Sequence, residues 1–337
     1  MNQAHIALLD RLIRTGGIEI RRGQLFDLEP GLKPQDFDFG RIEGMMLALA
    51  VGDALGNPTE SRHPFQRREA FGEIRDYVVH PYTGTAMGLP SDDTQLAFWT
   101  IEQMLEDDGF EPERLAAKFC SGRIYGIGGS VREFVARFKS GTPWEQCGPE
   151  SAGNGALMRI APMLIPHLRT GQRDLWADTA LSAMITHNDS ASISACLAFV
   201  FMLWQLLDMD RPPSSDWWLK TYVDVARELE TGENYVSRAG GNRYEGPMWA
   251  FVEREVGRAW ADGLDVLTAC EGWRSGAFLL ETVPSVLYIL MRYEADAEEA
   301  RAAALVPERL HRSRCLPQRP SRRQMRDQML GRCLPLG

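Results

Sequence analysis

The sequence lacks several signals that define familiar classes of protein. Its six cysteines lie far apart and include no C-x-x-C pair, which argues against a disulfide framework and against a cysteine-ligated zinc site. We therefore expect a reducing, cytoplasmic location. A surplus of positive charge is also missing, since the formal net charge is -9. A general nucleic-acid binder neutralises phosphates with a cationic surface, so we expect no nucleic-acid partner.

Long apolar runs and strand-like alternation are absent as well. The strongest apolar stretch, 193–207, is shorter than the roughly 20 residues that cross a bilayer, and it contains Gln205. Residues 1–17 mix acidic and basic side chains and lack the apolar core of a secretory signal. We therefore expect no membrane partner, and we interpret 193–207 as a helix buried on nearly all sides.

The sequence does have helical periodicity along most of its length. Apolar residues recur at helical spacing in segments 44–55, 92–106, 112–119, 130–138, 156–165, 175–185, 191–207, 217–229, 247–261 and 277–293. This pattern predicts an all-α fold, with an N-terminal extension at 1–40 and a single compact multi-helix domain at 41–300. Residues 56–91 form the longest stretch without helical period, and a loop of that length is usually functional.

The last 37 residues have a different composition. Between 301 and 337, nine arginines stand against Glu308 and Asp327, which gives this segment a formal charge of +7. Its prolines and scattered apolar residues form no continuous stripe, apart from a short helix predicted at 322–330. The composition predicts an atypical tail that is poorly ordered or loosely attached.

Ser91, Asp92 and Asp93 stand directly before the apolar periodicity of 92–106. Serine and aspartate are favoured at a helix N-cap because their oxygens accept the unpaired N–H groups of the first turn. One acid is enough for a cap, and two neighbouring carboxylates repel each other. The residues alone therefore leave two interpretations open, a helix cap and a set of oxygen ligands for a hard divalent cation.

Four further polar segments lie at predicted helix ends. Each has an ordinary structural interpretation by itself: a surface acid, a turn, a loop before a helix, or a histidine at a helix junction. Glycine loops also let a backbone approach a ligand closely, and their N–H groups can cradle a phosphate. The candidate residues are Glu60 after the stretch GDALG, Gly126, Gly128, Gly129 and Ser130 in the second segment, Ser151, Gly153, Asn154, Gly155 and Met158 in the third, and His187 in the fourth.

In this order and spacing, the five segments resemble the ADP-ribosylglycohydrolase family over residues 40–300, together with SGAFLLETVP at 275–284. The resemblance implies an all-α fold around a central cleft that binds two Mg²⁺ ions. It implies hydrolysis of the bond between the ribose anomeric carbon of ADP-ribose and an acceptor such as arginine. Ser91, Asp92 and Asp93 match the first metal motif of the family, and Asp92, Asp93 and Glu60 match its catalytic acids. The two glycine-containing segments and His187 match the substrate-binding walls.

The sequence departs from the family at the second metal motif. An Asp-x-Asp-Thr sequence is expected about ten residues after 298–300, but residues 308–314 read ERLHRSR, and arginine does not ligate magnesium. A shifted reading frame and natural divergence each account for this change. Two functions therefore stay open: a hydrolase of ADP-ribosylated protein, and a catalytically weak protein that binds ADP-ribose or an ADP-ribosyltransferase, as an immunity protein does. A helical scaffold in which the five segments are only caps is a third interpretation.

Overall fold

The computed structural model describes residues 3–60, 62–80, 83–239 and 244–293, and these form twelve α-helices and one small antiparallel sheet. The α-helices are α1 (Gln3–Thr15), α2 (Gly40–Gly56), α3 (Pro64–Phe71), α4 (Asp92–Glu106), α5 (Pro112–Phe119), α6 (Gly129–Lys139), α7 (Asp174–Thr186), α8 (Ser190–Leu206), α9 (Ser215–Leu229), α10 (Met248–Ala261), α11 (Val266–Trp273) and α12 (Leu279–Tyr293). Strands β1 (Tyr235–Val236) and β2 (Glu245–Gly246) pair with Tyr235 opposite Gly246. Short 3₁₀ helices cover Gln24–Asp27, Asn57–Thr59, Trp144–Gln146, Leu157–Arg159 and Ala161–Arg169.

The core is built around α7 and α8. Every residue of α7 is buried, and α7 packs on α8, which packs in turn on α9. The Asp189 side chain begins α8 by accepting the N–H of Ser192 at 2.9 Å, as expected of an N-cap aspartate. Most of α8 is buried, in agreement with the interpretation of 193–207 as a helix enclosed by protein. In the described ranges, none of the helices combines the length and the apolar character needed to span a bilayer.

Two predictions of local structure are wrong. The helix predicted at 156–165 is instead the two 3₁₀ helices Leu157–Arg159 and Ala161–Arg169, because Pro162 and Pro166 cannot donate α-helical hydrogen bonds. The stretch 56–91 contains α3, a short helix in which only Pro64 is buried, so it has no apolar stripe to reveal it. Its position is fixed by a capping box between His63 and Gln66.

The elements that position the candidate site are α2, α4, α6 and the chain around residues 150–159. Helix α4 packs on α2 and on the 3₁₀ helices Leu157–Arg159 and Ala161–Arg169, and α1 packs against α7. The division into an extension, a domain and a tail stays a prediction. Residues 301–337, with the predicted helix at 322–330 and the expected position of the second metal motif, lie outside the described residues.

Candidate active site

Asp53, near the end of α2, is the centre of the first part of the site. Its Oδ2 accepts the backbone N–H of Ser91 at 2.7 Å, the N–H of Thr94 at 3.1 Å and the hydroxyl of Thr94 at 2.6 Å. Its Oδ1 accepts the hydroxyl of Ser91 at 2.7 Å. Asp53 therefore caps α4 from a different helix, and this bond set holds the start of α4 against the end of α2.

The cap supplied by Asp53 bears on the two interpretations of the Asp92–Asp93 pair, a helix cap and a set of ligands for a cation. Ser91 occupies the N-cap position of α4, but its side chain makes no capping hydrogen bond there. Asp92 is buried with 7% of its surface exposed, and Asp93 is half-buried. Because Asp53 caps α4, the capping role does not explain why two more carboxylates stand in its first turn.

Burial and mutual repulsion both disfavour the ionised forms of Asp92, Asp93 and Glu60. Burial, followed by the charges of Asp53, Asp92 and Glu60, raises the pKa of Asp93 to about 7. Burial and the charge of Asp53 also raise the pKa of Asp92, although hydrogen bonds from backbone N–H groups and Ser91 oppose that change. Glu60 is exposed as a residue. Desolvation of its carboxyl by the surrounding protein, followed by the charges of Asp92 and Asp53, nevertheless raises its pKa. The cluster thus favours a bound proton or cation.

The glycine loop at 126–130 lies directly on Asp92. Gly126 has a left-handed φ of +79°, and a Cβ at this position would lie 2.9 Å from Asp92 Oδ1. Both facts require glycine. The backbone of Gly128 lies close enough to the Asp92 carboxylate to oppose the rise of its pKa, and Gly128 is the N-cap of α6. A Cβ on Gly128 or Gly129 would meet no atom within 4 Å, so the start of α6 borders open space.

The third polar segment joins this loop through Ser130 and Ser151, whose hydroxyl oxygens are 2.7 Å apart. The chain at 152–154 pairs with the SGAFLLETVP segment: Asn154 N–H donates to the Ala277 carbonyl at 2.9 Å, and Leu279 N–H donates to the Ala152 carbonyl at 2.8 Å. Met158 is half-buried and donates its N–H to the Asn154 carbonyl at 3.0 Å.

His187 lies behind the same segment. A Cβ on Gly155 would approach His187 Cε1 to 2.7 Å, and a Cβ on Gly153 would approach His187 Nε2 to 3.3 Å, so the two glycines let the chain run across the imidazole. Burial, followed by the charge of Arg159, lowers the pKa of His187 to about 3. The ring is therefore neutral near pH 7.

The structure thus brings the residues singled out in the sequence into one connected region. Direct contacts run from Asp92 through Gly126 and Gly128 to α6, from Ser130 to Ser151, and from Gly153 and Gly155 to His187. Glu60 is linked to this region through the electrostatic interaction of its carboxyl with Asp92 and Asp53. Sequence reasoning missed Asp53 and Thr94, although Asp53 stands between glycines in the quoted stretch GDALG and Thr94 directly follows the aspartate pair.

The donor set of the cluster suits a hard dication, because the four carboxylates Asp53, Asp92, Asp93 and Glu60 supply oxygens and excess negative charge. A cation would offset both the burial and the mutual repulsion that raise the pKa values of Asp92, Asp93 and Glu60. Within the described ranges, however, no group of three or more histidine, cysteine, aspartate or glutamate residues is arranged to hold a metal ion. The described residues therefore provide suitable ligands without a complete coordination sphere.

The chain is similar to known proteins over most of its length. The sequence model of ADP-ribosylglycohydrolase matches residues 34–306. The chain is 28% identical over 213 residues to the ADP-ribosylarginine hydrolase Tri1 of Serratia proteamaculans, which covers 60% of this chain and 57% of the relative. It is 28% identical over 171 residues to the ADP-ribosyl-[dinitrogen reductase] glycohydrolase of Rhodospirillum rubrum, which covers 50% of this chain and 58% of that protein.

These alignments span a little over half the length of each relative. A solved structure titled "ADP-ribosylglycohydrolase-related protein complex" has the same fold with a TM-score of 0.55 and 23% identity, covering 79% of this chain and 81% of that one. The family model covers most of the chain and the fold agrees with it. The chain therefore belongs to the ADP-ribosylglycohydrolase family.

Proposed function

We propose that this protein is a magnesium-dependent hydrolase that removes ADP-ribose from a protein acceptor, with arginine as the acceptor residue. The observation that carries the proposal is the continuity between the carboxylate cluster at the start of α4 and the glycine-containing walls that lead to His187. Relatives named for hydrolysis of ADP-ribosylarginine and of ADP-ribosylated dinitrogen reductase support an ADP-ribosylated protein as the substrate.

The carboxylates match the charge that develops in this reaction. When a glycosidic bond breaks, the ribose becomes oxocarbenium-like and carries positive charge. The bonds from the Ser91 and Thr94 N–H groups to Asp53 hold the first turn of α4. The negative charge of Asp92 and Asp93 in that turn would stabilise this state if the ribose lies beside them. A carboxylate of this pair is also a suitable acceptor for the proton of the attacking water.

Mg²⁺ would be held by Asp92 and Asp93, with Ser91 as a further oxygen donor. When bound, the ion supplies Lewis acidity and offsets the repulsion within the cluster. The role of Asp53 is to fix these ligands: it holds the Ser91 hydroxyl at 2.7 Å and the Thr94 hydroxyl at 2.6 Å.

The walls of the site match the rest of the substrate. The first turn of α6 begins at Gly129, next to open space, so its unpaired N–H groups can receive a diphosphate. Ser130 and Ser151 offer hydroxyl groups beside it, and neutral His187 can exchange hydrogen bonds with a hydroxyl or phosphate oxygen without adding charge. We assign these residues to substrate binding.

A catalytically weak binding protein is the alternative, and residues 308–314 favour it. The arginines there replace the acidic second metal motif expected from the family. Such a protein would recognise ADP-ribose or an ADP-ribosyltransferase and block it, and it would bind nucleotide sugar without turning it over.

One experiment separates the two functions. The full chain is incubated with an arginine-ADP-ribosylated protein, with and without Mg²⁺, and release of ADP-ribose is measured. A hydrolase releases the label only with Mg²⁺, and the double variant Asp92→Ala/Asp93→Ala loses at least about 10²-fold in rate. Asp210→Ala, in which the replaced side chain is 96% exposed, is the control and retains full activity. Tight ADP-ribose binding without release contradicts the hydrolase and supports the binding protein.

A further inference from the structure

The guanidinium of Arg159 is buried completely, with 0% of the residue exposed. Its Nη1 donates to Ser182 Oγ at 3.1 Å, and its Nη2 donates to the Ser182 carbonyl and to Thr186 Oγ1, both at 2.9 Å. Among the described residues, Arg159 has no carboxylate partner and its Nε has no hydrogen-bond partner. The guanidinium carbon also lies 4.7 Å from the centroid of the Phe119 ring, and this cation–π contact offsets part of the cost of burying a cation without an ion pair.

Thr186 connects Arg159 to His187. In the part of the chain that the structure describes, Thr186 Oγ1 has two partners, Arg159 Nη2 and His187 Nδ1, the latter at 3.0 Å. A guanidinium only donates, so the hydroxyl oxygen accepts from Arg159. The oxygen has a second lone pair, but if an Nδ1–H donated to it, the buried hydroxyl proton would have no acceptor among the described residues. A hydroxyl that donates to an accepting Nδ1 satisfies both groups, so we infer this direction. A neutral imidazole with an accepting Nδ1 carries its proton on Nε2.

The Nε2 edge of the ring faces the loop that forms one wall of the candidate site. A Cβ on Gly155 would lie 3.1 Å from Nε2, and a Cβ on Gly153 would lie 3.3 Å from it. Within the described residues, Nε2 has no hydrogen-bond partner, and His187 is 2% exposed. Arg159 also opposes a second proton on this ring.

We propose that Arg159, acting through Thr186, is a positioning residue that holds His187 as the neutral Nε2–H tautomer, so that Nε2 offers one donor to an acceptor oxygen of the ligand. The identity of that ligand, ADP-ribose, rests on the proposed function, whereas the tautomer does not. The arrangement selects a ligand that presents a lone pair at Gly153 and Gly155, such as a ribose hydroxyl or a phosphate oxygen. A ligand group that can only donate would leave Nε2–H unpaired.

The tautomer is measured by ¹⁵N NMR on full-length protein labelled at histidine. The chain has six histidines, and His187→Gln identifies the signals of His187. In the wild type we expect an unprotonated Nδ1 and a protonated Nε2. Thr186→Val keeps the side-chain shape but removes the hydroxyl, so the tautomer preference is lost, and Thr186→Ser restores it. Thr179→Val is the matched control: Thr179 is also buried in α7, but its hydroxyl donates to the Leu175 carbonyl at 2.8 Å, and its loss leaves the His187 signals unchanged.

Binding of ADP-ribose is then measured by calorimetry on the same proteins. Thr186→Val weakens binding by about tenfold, the effect of misdirecting one hydrogen bond, while Thr186→Ser and Thr179→Val bind as the wild type does. A wild-type His187 protonated at Nδ1, which requires no variant to fold, overturns the inference, as does an unchanged tautomer in Thr186→Val. A wild type with the expected tautomer and no affinity for ADP-ribose contradicts the proposed function and leaves the assigned tautomer of His187 supported.

Discussion

Asp93→Asn measures the cost of ionising Asp93, which comes from its burial and from repulsion by Asp53, Asp92 and Glu60. The folded-state pKa of Asp93 is raised from 3.8 to about 7, so the folded protein binds this proton more tightly than the unfolded chain does. The ionised side chain therefore destabilises the fold. This cost is absent below pH 3.8, grows as the pH rises toward 7, and is constant above it.

The size of the effect follows from the same shift. Each unit of pKa corresponds to about 1.4 kcal/mol, and discounting for the half-buried position of Asp93 leaves roughly 2–4 kcal/mol at pH 8 without metal. Asparagine keeps the shape of the side chain and cannot ionise. We expect metal-free Asp93→Asn to melt on the order of 5 °C above the wild type at pH 8, with a smaller difference at pH 5.

The assay is thermal unfolding from pH 4 to 9 in a chelator and then in Mg²⁺. Asp210→Asn is the control, since its side chain is 96% exposed and its removal changes no buried charge. We expect Mg²⁺ to stabilise the wild type and to have little effect on Asp93→Asn, because the variant lacks one of the proposed ligands. If Asp93→Asn is no more stable than the wild type at pH 8, or if its advantage does not grow with pH, the description of the cluster as electrostatically strained is refuted.

Two further predictions concern the glycine loop and the core. Gly126→Ala places a Cβ 2.9 Å from Asp92 Oδ1 on a backbone with positive φ, so we expect it to lower stability by about 1–2 kcal/mol and to weaken ADP-ribose binding. Gly44→Ala is the control in α2: its Cβ would meet no atom within 4 Å, and we expect it to raise stability by about 0.5–1 kcal/mol. Equal behaviour of the two variants in chemical unfolding would exclude this reason for Gly126. Burial lowers the pKa of His167, but hydrogen bonds and charges of Asp174 and Asp178 outweigh burial and raise it to about 9. His167 therefore stabilises the fold fully below pH 6.5 and loses this contribution as the pH rises through about 9, by on the order of 2–3 kcal/mol. The melting temperatures of wild type and His167→Gln converge across that range, and parallel curves contradict the prediction.

The sequence alone determined most of the secondary structure, because an apolar stripe at helical spacing must be buried whatever its neighbours are. It predicted α4 and α12 for this reason and α8 from its continuous apolar run, and it grouped the five polar segments through their likeness to one family. The sequence did not predict α3, which has no such stripe. It also did not predict the effect of Pro162 and Pro166, which replace the helix expected at 156–165 with 3₁₀ structure. Metal binding, the catalytic roles and the cytoplasmic location stay predictions.

Only the tertiary structure assigned the separate roles of the acidic residues. Spacing along the chain cannot show that Asp53, 38 residues before Ser91, caps α4, because that bond depends on how α2 packs against α4. The same holds for Arg159, whose influence on His187 passes through Thr186 only after the 3₁₀ helix at Leu157–Arg159 has folded against α7. Local sequence sets which side chains can carry charge or hydrogen bonds, and the packing of distant segments decides which of them meet.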